Sequence, residues 1–269
     1  MFVSATLACL TTLVYSLPNP KTTSSSSASK SASATSSTKA AAPIVTVTTP
    51  AKFLNVTSPW VLEMPIGSTA TSTAFWEVSD PTLQSFTDEY WYMNSAKTGV
   101  VFYTNNTGHT SGGSLHPRTE LKNQAYWAAN GTKTHQMNVT LQVDHVPTGR
   151  TVCVSQVFAH TEGPWAMFHV GPSNVFVRQG DTGSFPTTTL DGNYTSGTPF
   201  TLSLTAVNSN LIILYKNAVS GTAKSLTLSM PNYSDFLFAA GSYCQIYYSS
   251  DPSSFYCQVT MYSLTLKGF

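Results

Sequence analysis

Charge is what this 269-residue chain has least of: Lys, Arg, Asp and Glu make up 9% of it, and the formal net charge is +1. Near-neutrality excludes a broadly basic nucleic-acid binder, so no nucleic-acid partner is expected. A polyanionic ligand would have to be met by a local cluster of cations rather than by the field of the whole molecule. Metal-site spacing is missing too, since His160 and His169 flank Glu162 without a recognised zinc pattern. There is no Gly-x-Ser-x-Gly elbow for a serine esterase. Glu89, Asp144 and Glu162 are scattered, unlike the paired carboxylates of a glycoside hydrolase. No metal or cofactor is expected. A long amphipathic helix is also absent; only residues 81–93 allow a short one, capped by Ser79 or Asp80.

What remains is rich in aromatics (12%) and in Ser, Thr and Asn, a profile that suits a secreted all-β protein with a polar, uncharged surface. Residues 1–16 are apolar or small, too few to span a bilayer, and Pro18 and Pro20 follow closely. They read as a cleaved secretory signal, although the basic n-region is missing. Residues 17–50 form a linker whose Ser/Thr/Ala tract (22–38) has no apolar period and is expected to be disordered, as an O-glycosylated stalk would be. Six Asn-x-Ser/Thr sequons, at Asn55, Asn105, Asn130, Asn138, Asn193 and Asn232, agree with the secretory route. The expected location is extracellular, with cell-wall association open and no membrane attachment after signal cleavage. Cys9 would leave with the signal. Cys244 and Cys257 bracket a Ser249–Pro252 turn and are expected to close a hairpin, leaving Cys153 as a buried thiol; pairing of Cys153 with Cys244 stays open.

From residue 51 to 269 the pattern is one domain of short strands, at 100–103, 135–143, 151–158, 200–206, 211–215, 226–230, 242–248 and 257–266. Many alternate apolar with polar residues, as antiparallel sheets with one solvated face do. Such a run without helices implies an all-β antiparallel β-sandwich, a jelly roll of the concanavalin A-like lectin/glucanase type. Trp91, Trp127 and Trp165 are candidates to line its concave face, with core packing as the alternative for each. A monomer is expected.

Three segments carry chemistry. Arg118-Thr119-Glu120-Leu121-Lys122 follows His116, and a strand would turn Arg118, Glu120 and Lys122 to one face. Arg118 can fork two hydrogen bonds onto a carboxylate. Gln156, in an otherwise apolar run, needs partners if buried and is either a structural hub or a ligand contact. Tyr243 lies in Leu237-Phe238-Ala239-Ala240-Gly241-Ser242-Tyr243-Cys244-Gln245. An arginine, a glutamine and a tyrosine suffice to break a polyuronate by β-elimination: the first two hold the carboxylate and stabilise the enolate-like charge, and the tyrosine moves the proton. That use of tyrosine requires a cationic neighbour to lower its pKa from near 10.

Order and spacing resemble the alginate lyases of polysaccharide lyase family 7 and the glucuronan lyases of family 20. The first carries Arg-(Ser/Thr)-Glu-(Leu/Val)-Arg, then Gln-(Ile/Val)-His, then Tyr-Phe-Lys-Ala-Gly-x-Tyr-x-Gln. The likeness extends to Trp60-Val61-Leu62-Glu63-Met64-Pro65 and so covers residues 55–269. It implies a secreted lyase acting on an acidic polysaccharide, with Arg118, Gln156 and Tyr243 catalytic and His116, Glu120, Lys122, His160 and Gln245 contacting substrate. Phe158 stands where that family has its histidine, and Ala239 and Leu237 replace a lysine and a tyrosine. In the family the histidine is linked to anti elimination from guluronate. Its loss therefore points to β-D-mannuronate or D-glucuronate polymers, where one tyrosine serves as base and acid. His116 or His160 are candidates to compensate. The alternative is a non-catalytic, lectin-like carbohydrate-binding module on the same fold.

Overall fold

The computed structural model describes residues 49–67, 75–107, 109–110, 114–180 and 186–269. The expected signal segment and almost all of the Ser/Thr-rich linker lie outside the described residues. The described architecture belongs to the unit Val45–Phe269.

A short helix, α1 (Pro50–Leu54), precedes two antiparallel sheets. One sheet runs in the order β10 (Thr187–Asp191), β9 (Val175–Gln179), β8 (Gly163–Val170), β7 (Val152–Ala159), β14 (Phe236–Cys244), β5 (Arg118–Asn123), β1 (Trp60–Gly67), β2 (Phe75–Ser79). The other runs β13 (Ala223–Ser229), β12 (Asn210–Asn217), β11 (Phe200–Val207), β6 (His135–His145), β15 (Tyr256–Lys267), β4 (Val100–Asn105), β3 (Trp91–Met93). This is the expected β-sandwich jelly roll.

Strand alternation builds the core. Along β6, Met137, Val139, Leu141 and Val143 are buried while Gln136, Asn138, Thr140 and Gln142 face outward. Facing side chains such as Phe102 and Phe238 are fully buried, each contributing about 1.5–3 kcal/mol through lost apolar exposure. All nine residues of β14 are buried, which makes it the most enclosed strand of its sheet. Thr104 Oγ1 donates to Ser242 O at 2.9 Å, tying β4 to β14 across the sandwich.

Four expectations change here. The tryptophans line no groove: Trp91, Trp127 and Trp165 are 0%, 4% and 3% exposed in the core, because the apolar area of an indole is best removed from water between the sheets. Residues 81–93 yield only a 3-10 turn, Thr82–Gln84, before β3; the Asp80 carboxylate accepts from Ser58 N and Gln84 Nε2 instead of capping a helix. The strand expected at 242–248 lies earlier, as β14. Its apolar run is covered on both sides and shows no period of two, whereas exposed Tyr247 and Tyr248 mimic one. Finally, Cys244 and Cys257 are bonded, but β14 and β15 belong to different sheets, so the disulfide staples the sandwich rather than closing a hairpin. Cys153 is the buried free thiol.

Gly241, opposite Glu120 in the β14–β5 register, has φ +154°. A Cβ there would lie 2.5 Å from Thr119 O and 2.8 Å from Glu120 Cα, both backbone atoms of β5. Gly241→Ala is therefore expected to lower the denaturant midpoint by an equivalent of about 1–3 kcal/mol. Equilibrium unfolding in urea measures this; an unchanged midpoint would show that the strands separate freely.

Candidate active site

The site is built by the alternation of β5 and the strands paired to it. Leu121 is buried in the core and Thr119 Oγ1 donates to Tyr103 O of the other sheet at 2.6 Å. Arg118, Glu120 and Lys122 consequently face the opposite way. In β1, Leu62 and Met64 enter the core and Glu63 does not. Register sets Glu63 opposite both Glu120 and, on β2, Glu77. On the far side of β5, Tyr243 of β14 lies opposite Arg118, and Ala239 opposite both Lys122 and Gln156.

These residues frame a cavity of about 360 Å³. Glu63, Arg118, Lys122, Gln156 and Tyr243 bring its polar groups together, with Glu77 at the β2 edge. Phe75, Phe158 and Pro164 supply apolar walls, and Ser114 joins Tyr243. The Arg118 guanidinium carbon sits 3.9 Å from the centroid of the Tyr243 ring. Arg118 Nη1 is 3.4 Å from Glu63 Oε2 and 3.5 Å from Glu120 Oε2. Lys122 Nζ is 3.5 Å from Glu63 Oε1 and 4.9 Å from the Phe158 ring centroid. Gln156 Nε2 donates to both oxygens of Glu120, at 2.7 and 2.8 Å, while its buried Oε1 has no hydrogen-bond partner. The Tyr243 hydroxyl shares a hydrogen bond with Ser114 Oγ at 2.9 Å.

Burial governs the titration of the site. It pushes the Glu120 carboxyl up to about 7, with Glu63 adding to the rise and Arg118 pulling against it. Glu77 is also raised, by burial and then by Glu63. The Tyr243 phenol is raised as well: burial outweighs the lowering by Arg118 and by the Ser114 hydrogen bond. A tyrosine drawn below 10 by its cationic neighbour is thus not found; Arg118 stands against the ring, but desolvation prevails.

The structure gathers Arg118, Gln156, Tyr243, Glu120 and Lys122, though not all toward the cavity. Glu120 is 1% exposed beneath it, and Gln156 spends both amide hydrogens on that carboxylate. His116 flanks the site: its Nδ1 bonds Ile246 O at 2.9 Å and its ring meets Tyr243 and Tyr247 edge-on. Gln245 lies outside the lining, donating to Tyr243 O. His160 does too, because β7 ends at Ala159; it is exposed and stacks on Tyr126. Sequence reasoning missed Glu63, Glu77 and Ser114. The signal for Glu63 was a lone carboxylate inside the apolar run Trp60–Ile66 of a charge-poor chain. Among the described residues no group of three or more His, Cys, Asp or Glu is arranged to hold a metal ion.

The raised Glu120 carboxyl binds its proton more tightly folded than unfolded. Its contribution to stability is complete below about pH 4.5 and is lost as pH rises through about 7. Urea titrations across this window are expected to show stability falling by up to about 1.4 kcal/mol per pH unit from this group, with a shallower slope in Glu120→Gln. An identical slope in both proteins would place the titration elsewhere.

Three comparisons with known proteins bear on this geometry. A family model described as alginate lyase matches residues 54–268. Among solved structures, the family 7 alginate lyase AlgAT5 is 26% identical with a TM-score of 0.70, covering 82% of this chain and 99% of its own. An alginate lyase from Corynebacterium sp. is 27% identical with a TM-score of 0.71, covering 82% and 98%. One from Pseudomonas aeruginosa, at 21% identity and a TM-score of 0.66 over 78% and 98%, shares the fold. No curated protein matches. With the family model matched over residues 54–268 and the sandwich shared with these lyases, the chain belongs to the alginate lyase family and is a polysaccharide lyase.

Proposed function

We propose that the protein is a secreted lyase that cleaves polymers of β-D-mannuronate or D-glucuronate by syn β-elimination. The observation that carries this reading is the meeting of Arg118, Lys122 and Tyr243 in one cavity, with Phe158 among its apolar walls in place of a histidine. Arg118 and Lys122 neutralise the uronate carboxylate, so that charge developing on it as C5 loses its proton is stabilised in a partly dry site. Tyr243, as tyrosinate, takes the C5 proton. The C5–H electron pair becomes the C4=C5 double bond, the C4–O4 bond breaks, and the same phenol returns the proton to O4. A raised phenol pKa makes Tyr243 a proton donor at rest and keeps the tyrosinate scarce, so kcat is expected to rise with pH through neutrality.

An anti elimination would need a second proton carrier on the other side of the sugar. Phe158 holds the place where the family's histidine would stand, and His160 lies outside the cavity lining, stacked on Tyr126. Among the described residues no histidine lines the cavity, which supports the mannuronate or glucuronate assignment over guluronate. Secretion is supported by the apolar segment 1–16, by the Cys244–Cys257 disulfide, and by the sequon asparagines. Asn55, Asn130, Asn193 and Asn232 are exposed, so oligosaccharyl transfer meets no steric bar at them.

The test follows the ultraviolet absorbance of the new C4=C5 bond on polymannuronate, polyguluronate and glucuronan. Wild type is expected to act on the first or the last, and Tyr243→Phe to lose about 10²–10⁴-fold in kcat. A rate on polyguluronate equal to that on polymannuronate would overturn the substrate assignment. Retention of activity by Tyr243→Phe would overturn the role of the phenol.

A further inference from the structure

The floor of the cleft carries more negative charge than an anion site needs. Glu77, Glu63 and Glu120 lie directly opposite one another on three neighbouring strands, so three carboxyls stand beside two cations, Arg118 and Lys122. Like charges facing each other across a sheet are destabilising, and the row persists despite that cost. Its middle member is the one that touches both cations. Glu63 is 2% exposed, with Oε2 at 3.4 Å from Arg118 Nη1 and Oε1 at 3.5 Å from Lys122 Nζ.

Those contacts are loose. Charge-assisted hydrogen bonds close to about 2.7–2.9 Å, and Glu63 Oε2 accepts none. The two cations are therefore occupied without being saturated. Beside them, the buried Oε1 of Gln156, a cavity-lining residue only 1% exposed, lacks a donor. A sugar ring brings what both lack: a carboxylate able to bind the cations closely, and hydroxyls to donate to the amide oxygen.

We propose that Glu63 sets the affinity of this cleft for uronates: it is an internal carboxylate resting on Arg118 and Lys122, which an incoming uronate displaces while the glutamate row takes up a proton. The inference rests on the reading of Arg118 and Lys122 as the uronate-binding cations. Charge balance requires the proton. One more carboxylate among three carboxyls and two cations leaves an excess that the buried pair Glu63 and Glu120 cannot hold, while Glu77 stands at the exposed end of the row. The groups facing Glu63 are Glu77 from β2 and Arg118, Glu120 and Lys122 from β5. Beyond them on the same side lie Gln156 of β7 and Tyr243 of β14. Glu77 and Glu120, both raised by burial, are the acceptors for that proton. Uronate binding then weakens as pH rises, opposing the gain in kcat, and the two effects separate into KM and kcat.

Calorimetry in buffers of different ionisation enthalpy counts the proton directly. A saturated mannuronate or glucuronate oligosaccharide is titrated into the full chain carrying Tyr243→Phe, with and without Glu63→Gln, between about pH 5 and pH 8. Expected are uptake of about one proton per oligosaccharide at pH 7 and affinity that falls with pH; Glu63→Gln removes the uptake and binds about tenfold tighter, the equivalent of one pKa unit. In otherwise wild-type enzyme the same substitution lowers KM and flattens its pH dependence. Binding without proton uptake, no binding at any pH tested, or an unchanged pH slope in Glu63→Gln would each overturn the proposal. Should Glu63→Gln fail to fold, Glu77→Gln at the open end of the row is expected to reduce the uptake without touching either cation, and full uptake there would count against the proposal. Binding with proton uptake by a wild-type protein that forms no unsaturated product would sink the elimination mechanism and leave this inference standing.

Discussion

The Arg118 guanidinium, beside two buried carboxylates and over the Tyr243 ring, is the contact around which the cleft is organised. Its charge makes a carboxylate tolerable at Glu120 beneath a nearly dry floor, and Glu120 in turn fixes the amide of Gln156 through both hydrogens. The same cation opposes the burial that raises the Tyr243 phenol. Buried ion pairs of this kind roughly break even in stability, because desolvation offsets Coulomb attraction. The cluster is better understood as a device that holds charged groups ready than as a source of folding energy.

Rigidity comes from elsewhere. Apart from Ser114 and, on the edge strand β2, Glu77, the polar groups of the site stand on β5, β14, β7 and β1, all interior strands of the larger sheet. Behind β14 the sheets are locked by apolar packing, by the Thr104–Ser242 hydrogen bond and by the Cys244–Cys257 staple one residue beyond Tyr243. Arg150 adds a two-point ion pair to Asp251, anchoring the segment that carries Tyr247 against His116. Polar chemistry is thus placed on a backbone that has little freedom to relax when a charged sugar enters. That is the condition under which fixed dipoles and charges act most strongly on a transition state.

Poverty of charge gives the arrangement its sense. In a chain with so few ionisable groups, Glu63, Glu77, Arg118, Glu120 and Lys122 form a local concentration rather than part of a general surface. Two cations and three carboxyls meet in this one cleft, so its local field is set by few groups. Lys122, on the same strand face as Arg118, lies opposite Ala239 with its Nζ 4.9 Å from the Phe158 ring centroid.

Much of this was legible in the residues. The period of two along Arg118-Thr119-Glu120-Leu121-Lys122 turns three charges to one face whatever the tertiary fold, and strand alternation with few helix signals implies a sandwich. Pairing of Cys244 with Cys257 was readable from their spacing, but not that they lie on opposite sheets. For the tryptophans the sequence left groove lining and core packing open, since composition does not say which face of a strand is covered, and the fold placed Trp91, Trp127 and Trp165 in the core. The reach of His160 depended on β7 continuing past Ala159, and β7 stops there. Sequence by itself determined which residues share a strand face, because that depends only on backbone geometry. Tertiary structure alone decided that Glu63 and Glu77 join Arg118 and that burial outweighs the cation at Tyr243, because strand order and desolvation are set by residues distant in the chain.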